Sequence, residues 1–565
     1  MRIIERVKMD TTLESSLHIT QIIMITFASE LLLSTIVFLL GFSIIWPFFL
    51  VSFAIAVVLC RIITRNDIVW FEVISSLLLF LILSWVSGTV FDTSVDGNTF
   101  HKLAVGLLKN HWNPLRSLPS LAPVGGAGLK GVGNTLWVET YCKATWVYGA
   151  SIYSLTGNIE TGKSYTMIAV VCAFLSVFYY MRKKNHPLFQ SITMACVTAF
   201  NPIAVQQMFT FYNDGFLHTI LILLIVSLLM MEDPETFDHK ASAGLTAASM
   251  IVCGNIKFTG LLYGGLFCIA YFLYDVFRTL GKDKSQISSI FKEGVFYLCL
   301  VFVVVVWAGG PTYITNIIRH GSLTYPLTGE GKVDIITANS PFPVSNLKTT
   351  FLSLFSRVDN FTLDSGQSPV LKIPFSFNKK ELEMTMIADA RISGFGVFFG
   401  GLLIVSLVVI AIWLLCCKNH AVKILVCLNL AVCLGLMFGI KESWWARYSP
   451  YIYVIMLIAV YVLLDCKSRA TAVIAVVFTV FIMTNNCLPF IWLGKNLQTA
   501  KAVDAYYCDL KNYGLIEVCT EPFEGVFFNL IDYDIDYRIN NYLMNEENLN
   551  TTNYMRTIWR QIESS

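Results

Sequence analysis

Charge is what this chain has least of. Asp, Glu, Lys and Arg make up 14% of its 565 residues, against about a quarter in soluble domains. Apolar residues make up 55% and mean hydropathy is +0.64. That excludes an ordinary soluble domain and predicts a polytopic membrane protein. Net charge is only +2, which leaves no basic field for nucleic acid. The fifteen cysteines show no metal-ligand spacing. Most, such as Cys60, Cys172, Cys196, Cys299 and Cys433, fall in apolar runs, where cysteine acts as a small hydrophobe. Cys508 and Cys519 lie in polar sequence, where an oxidising compartment would let them pair. No removable signal peptide is expected: residues 1–21 are polar and mixed in charge, and no short apolar stretch with a cleavage site follows. The glycines of 125–133 have no strand before them and no Gly-Lys-Ser or Gly-Lys-Thr after them, so they read as flexible backbone rather than a phosphate loop.

What is there is a series of apolar runs. A span needs roughly 20 mainly apolar residues. By that rule about thirteen are expected, at 22–41, 44–60, 68–90, 164–181, 188–209, 215–231, 241–256, 258–277, 293–309, 394–416, 421–440, 449–464 and 470–486. The run 188–209 is interrupted by Asn201-Pro202. Loop cations set the orientation. Arg2, Arg6 and Lys8 precede the first run. Arg61 and Arg65, Arg182 to Lys184, Arg278 with Lys282 and Lys284, Lys418 with Lys423, and Lys467 with Arg469 follow even-numbered ones. With residues 1–21 cytoplasmic, every one of these clusters is cytoplasmic. The long loops 91–163 and 310–393 and the tail 487–565 are then outside. The fold class expected is an all-α membrane domain over 22–486 with large outer loops, followed by a small soluble mixed element too short to be an independent catalytic domain. A protein whose non-membrane mass gathers on one face is expected to work there.

The first outer loop opens with Phe91-Asp92-Thr93-Ser94-Val95-Asp96-Gly97-Asn98-Thr99-Phe100-His101, where the chain leaves a span. Acidic residues at a membrane edge are costly without a purpose, and two neighbouring carboxylates can divide the roles of base and of metal or acceptor ligand. After it, Leu103, Ala104, Leu107 and Leu108 share one helical face, with Lys102 and Lys109 off it. This predicts a short amphipathic helix on the membrane surface, stopped by Asn113-Pro114. Residues 136–155, rich in Trp and Tyr, read as a further helix at the interface. The second loop carries Arg319 and His320, Pro341-Phe342-Pro343, a sequon at Asn360-Phe361-Thr362, and Asp389 and Arg391.

Further polar residues stand at outer span ends: Asp214 in Asn213-Asp214-Gly215, Lys257 in Asn255-Ile256-Lys257-Phe258-Thr259, and Glu442, Trp444 and Arg447 in Lys441 to Tyr448. Each has an ordinary reading as a solvated turn, a snorkelling lysine or an aromatic belt. Under one topology, however, Asp92, Asp96, Asp214, Lys257, Glu442 and Arg447 all fall on the same side. Cations there suit a phosphate headgroup, Arg being the better bidentate partner, and carboxylates suit an acid/base pair.

At these residues the sequence resembles the GT-C superfamily of polytopic glycosyltransferases. The motifs are Asp92-x-x-x-Asp96-Gly97-x-x-Phe100-His101, Trp112-Asn113-Pro114, Asn255-x-Lys257-Phe258-Thr259-Gly260 and Trp444-Trp445-Ala446-Arg447-Tyr448. The likeness is to an uncharacterised bacterial branch, with the acidic loop after the third span rather than the first. The resemblance implies transfer of a sugar from a polyprenyl-phosphate donor to a hydroxyl of a glycan, lipid or protein of the cell envelope, on the outer face of a bacterial plasma membrane. It implies a catalytic base at Asp92 or Asp96, and substrate binding by His101, Asp214, Lys257, His320, Glu442, Trp444 and Arg447. A divalent metal, Mg or Mn, on Asp92 and Asp96 is an open option. Two rival readings stand beside it. A polysaccharide polymerase or ligase would rest on loop arginines such as Arg319, Arg357 and Arg391. A lipid-linked sugar transporter or flippase would show matching broken helices, and Asn201-Pro202 has no counterpart.

Overall fold

The computed structural model describes residues 2–65, 68–126, 134–280, 287–335, 339–340, 345–361, 365–466, 469–545, 549–551, 554–555 and 557–562. Gly128 to Gly133, Pro341 to Pro343, Thr362, Lys282, Lys284 and Lys467 lie outside these residues.

Where the sequence runs apolar the backbone coils, because neither lipid nor a dry core offers its N–H and C=O groups another partner. Helices α1 (Arg2–Leu40), α2 (Pro47–Ile63) and α3 (Trp70–Gly88) precede the first long loop, which holds α4 (Lys102–Lys109), α5 (Thr135–Thr140) and α6 (Ala144–Thr156). Next come α7 (Tyr165–Lys183), α8 (Leu188–Ala199), α9 (Pro202–Gln207), α10 (Asp214–Met231), α11 (His239–Ile256), α12 (Phe258–Leu280) and α13 (Ile287–Phe302). The second loop holds α14 (Thr315–His320), α15 (Asn346–Phe355) and α16 (Lys379–Met384). After α17 (Phe399–Cys416), α18 (His420–Gly439), α19 (Pro450–Asp465) and α20 (Arg469–Cys487) comes the tail, with α21 (Leu493–Leu510), α22 (Val526–Asp532) and strands β1 (Ile516–Cys519), β2 (Tyr537–Ile539), β3 (Asn550–Thr551) and β4 (Ile558–Gln561). The strands form one sheet of order β2-β1-β4-β3, with β1 parallel to β2 and antiparallel to β4, Val518 opposite Trp559. The tail is thus a mixed element.

Among the described residues nine helices are long and apolar enough to cross a membrane. They lie in α1, α3, α7, α10, α12, α13, α17, α18 and α20, the last continuing into α21. The other four expected spans are helical, but α2, α8 and α19 are shorter and α11 is not among the nine. The expected run 188–209 ends at Ala199. Asn201, extended ahead of Pro202, caps a new helix by accepting from Ala204 N at 2.9 Å. Helix α10 is apolar on every face and almost wholly buried, so it forms the centre of the bundle. Helix α13 is mostly exposed along its apolar length and stands at the edge.

Four local expectations change. Helix α4 does not lie on a membrane surface: Leu103 to Leu108 and Lys102 are buried, because α6 packs along it and the tail closes over its other side, at Lys102 and Gly106. Phe528 of α22 sits on Gly106 so closely that a Cβ there would come within 2.2 Å of its ring. The 136–155 helix is two helices, broken at Tyr141 to Lys143, and Trp146, Tyr148 and Tyr153 are core rather than interface. Lys143 closes the break, its ammonium donating to the carbonyls of Val138, Glu139 and Tyr141. Cys508 is exposed, Cys519 is buried, and both are free.

Candidate functional site

Two polar clusters, one on each side of the 91–101 loop, give its aspartates different surroundings. Asp92 is fully buried. Its Oδ1 accepts from Ser94 N at 2.7 Å and its Oδ2 from Phe211 N at 2.8 Å. Its own N–H donates to Glu160 Oε2 at 3.1 Å, and its carbonyl accepts from Asn98 Nδ2 and Tyr554 Oη. Beneath it Lys102 Nζ donates to Glu160 Oε1 at 2.6 Å, Asn529 Oδ1 at 3.0 Å and Tyr554 Oη at 3.1 Å. Lys163 Nζ donates to Glu160 Oε2 at 2.5 Å and Val90 O at 2.6 Å. Glu160 is paired with both lysines and Asp92 is satisfied by backbone amides, as burial requires. Asp92 therefore works as a staple, and it lines neither of the cavities described below.

From Gly97 to His101 the chain makes a π-turn, an irregularity common at functional sites. The turn needs glycine: a Cβ on Gly97 would lie 2.0 Å from Asp92 Oδ2. The residue just before it, Asp96, faces the other way. Its Oδ2 accepts from Arg447 Nη2 at 3.1 Å, and its side chain remains 28% exposed.

Arg447 is the hub of this second cluster. It lies on a tight turn between α18 and α19, held between Trp445 and Tyr448. Its Nη1 donates to Asp214 Oδ2 at 2.9 Å, its Nε lies 2.7 Å from Asp389 Oδ1, and its guanidinium also covers the Tyr212 ring. Asp214 opens α10, where the helix dipole favours a carboxylate. Lys257 occupies the extended break between α11 and α12, which swings its ammonium onto Asp214 Oδ1 and 3.7 Å over the Tyr448 ring. Arg391 Nε donates to Asp389 Oδ2 at 2.8 Å and lies over Trp445. Asp96, Asp214 and Asp389 are thus balanced by Lys257, Arg391 and Arg447.

The balance shifts the proton affinities. Burial pushes the Asp96 carboxyl above the usual range, although Arg447 pulls it down. Burial lowers Lys257 to about 8, with Asp214 opposing. Burial raises Glu442. His101 is driven to about 3, by burial first and then by the charge of Lys257. It is therefore neutral, with Nδ1 accepting from Trp146 Nε1 at 2.8 Å.

A cavity of about 330 Å³ opens on this cluster. Asp96, Lys257, Arg391, Glu442 and Arg447 line it, with walls of Phe100, Trp137, Tyr141, Phe258, Trp445 and Tyr448. A second cavity, of about 360 Å³, lies across the Arg447–Asp389 pair and is lined by Ser94, Gln206, Thr210, Tyr212 and Asp389 among others.

Of the residues singled out in the sequence, Asp96, Asp214, Lys257, Glu442 and Arg447 come together. His101 lies behind Phe100 and Tyr141, outside the cavity lining. Trp444 is buried against Phe361 and Ile392. His320 lies 3.2 Å from Glu139 and stacks on Tyr325, away from the cluster. Asp389 and Arg391 join the site, and their signal in the sequence was an opposite-charge pair a few residues before a span. Arg319 pairs with Glu139 and Arg357 with Glu381, so neither loop arginine reaches the cavity. The two aspartates of the first loop do not suit a shared cation, because Asp92 spends both oxygens on backbone amides and Asp96 meets a guanidinium. Among the described residues no group of three or more His, Cys, Asp or Glu side chains could hold a metal ion. The chain matches none of the protein-family models, and none of the curated proteins, with which it was compared.

Proposed function

We propose that the chain is a membrane glycosyltransferase that moves a sugar from a polyprenyl-phosphate donor to a hydroxyl of an envelope acceptor. One observation carries the reading: a carboxylate with a raised proton affinity, Asp96, and two cations, Lys257 and Arg447, line the same aromatic-walled cavity. Arg447 and Lys257 hold the donor phosphate, and the aromatic walls take the sugar and the first prenyl units. The acceptor oxygen attacks the anomeric carbon and its proton passes to Asp96. The bond from that carbon to the phosphate oxygen breaks, and the phosphate leaves with the electron pair. The two cations stabilise the charge that develops there. Asp96, rather than Asp92, is the base in this reading, since Asp92 lines neither cavity and both its oxygens are held by backbone amides.

Purified protein offered a panel of polyprenyl-phosphate sugars tests it. Wild type should release polyprenyl phosphate. Asp96→Asn should lose turnover by about two to four orders of magnitude, the usual worth of a general base, while staying folded. Asp92→Asn should instead unfold more easily, by about 1–3 kcal/mol, because its amide nitrogen would face the Phe211 N–H and leave that donor unpaired. Full turnover by Asp96→Asn would remove the base assignment. A polymerase or ligase using pyrophosphate-linked oligosaccharides is favoured by one observation, the third cation Arg391 on the cavity wall. Turnover with such donors alone would select it.

A further inference from the structure

The second long loop carries an apolar surface that the site does not use. Helix α15 and the segment 370–377 are joined into one arm: Arg357 N donates to Val370 O at 2.8 Å, and Lys372 N donates to Phe355 O at 3.0 Å. The arm is seated on the end of span α17. Phe355 lies over Gly400 and Phe375 over Gly401, the second and third residues of that span, and Cβ atoms there would meet the two rings at 3.2 and 2.6 Å. Phe375 also packs edge-on against Phe481, with ring centroids 5.5 Å apart. Phe481 is six residues inside the end of α20, so the arm descends about 9 Å along that helix. Lys372 pins it from within, its Nζ donating to Glu381 Oε1 at 2.6 Å and Val397 O at 2.7 Å.

The outward side chains of this arm are apolar. Leu347 and Phe351 of α15, one helical turn apart, and Val370, Leu371, Ile373 and Phe377 are between 53% and 79% exposed. A contiguous apolar patch of this kind marks an interaction surface. The helices on which the arm is seated carry exposed apolar residues of their own, Ile404 and Val408 on α17 and Val477 and Phe481 on α20, and both are able to cross a membrane. Lys379 and Lys380 follow directly, where cations border a hydrocarbon layer.

We propose that the described parts of 346–377 form a membrane-seated arm, with Leu347, Phe351, Leu371, Ile373 and Phe377 in the acyl–headgroup boundary of the leaflet at the site's end of the bundle. The occupant of the surface is lipid, since the arm is seated on the ends of two helices able to cross a membrane. The interfacial helix of this protein is then α15, not α4. Through α16 and Thr385 to Asp389, which line the second cavity, the arm holds that cavity at bilayer height.

Full-length protein in nanodiscs of phosphatidylcholine and phosphatidylglycerol tests this. An environment-sensitive fluorophore is attached by click chemistry to an azide-bearing residue at Ile373, at Phe351, or at the water-exposed Lys379, leaving the native cysteines untouched. The expected result is blue-shifted emission at Ile373 and Phe351, lost to doxyl-labelled lipid and spared by iodide, with the reverse at Lys379. Iodide quenching at Ile373 and Phe351 equal to that at Lys379 would overturn the proposal. So would shielding from both quenchers, which would mean that protein, such as a second copy of the chain, covers the arm. The readout needs no substrate and stands apart from the glycosyltransferase reading.

Discussion

Asp92 and Asp96 are four positions apart, and their neighbours divide them: backbone amides close around the first, a guanidinium meets the second. Lys257 shows how the same burial sets a working range. Desolvation brings it to about 8 despite Asp214, so it is cationic below that pH and loses its charge above it. If Lys257 holds the donor phosphate, KM for the donor should rise as pH passes upward through about 8, with kcat at saturating donor less affected. Lys257→Arg should keep KM flat, because a guanidinium stays protonated. A wild-type KM unchanged from about pH 7 to 9 would take Lys257 out of phosphate binding. His101, held neutral against Trp146, should add no inflection near its ordinary value.

At the scale of elements, the π-turn at 97–101 rests on one missing side chain. Gly97→Ala would push a methyl into Asp92 Oδ2. It should lower stability by about 1–3 kcal/mol and depress turnover together with thermal midpoint. Unchanged unfolding would mean that the turn is looser than it stands here. The turn also shows what the sequence could and could not tell. Apolar runs predicted the helices because lipid-length hydrophobicity is local information. Asp96, Asp214, Lys257 and Arg447 could be picked out because charges in apolar surroundings need a reason. The burial of α4 was not legible: its amphipathic pattern marks an apolar face but does not show that its polar side is covered too, by Phe528 on Gly106 and by Asn529, 427 residues beyond Lys102. Nor could Asp92 be told from Asp96, since the difference lies in the Phe211 amide, 119 residues away. Asp389 and Arg391 were hard to weigh because they pair with each other, and the Arg447 that ties Asp389 to the site stands in another turn.

Across the whole molecule, the tail and the membrane domain meet at a titratable contact. Asp532 of α22 accepts from Tyr153 Oη at 2.5 Å and Ile159 N at 2.7 Å. Burial raises its carboxyl to about 6, those bonds and Lys109 opposing and Glu160 adding to it. The folded protein therefore binds that proton more tightly than the unfolded chain. The contribution of Asp532 to stability is fully present below about pH 4, the ordinary carboxylate value, and is lost as pH rises through about 6, when a buried carboxylate must carry its charge. Thermal midpoints should fall over that interval for wild type and fall less for Asp532→Asn. Identical slopes would assign the pH dependence to other groups.

Tyr554 gives the same junction a place in time. Its hydroxyl donates to the carbonyl of Asp92, 462 residues earlier in the chain. At a synthesis rate of about 5–20 residues per second, the ribosome adds that partner roughly 20–90 s after the aspartate. For that interval the first loop is already made while Lys102 and Glu160 lack Asn529 and Tyr554. The bonds of the loop to Ser94, Glu160 and Phe211 can form early, but the charged cluster can be completed only once translation has passed residue 554.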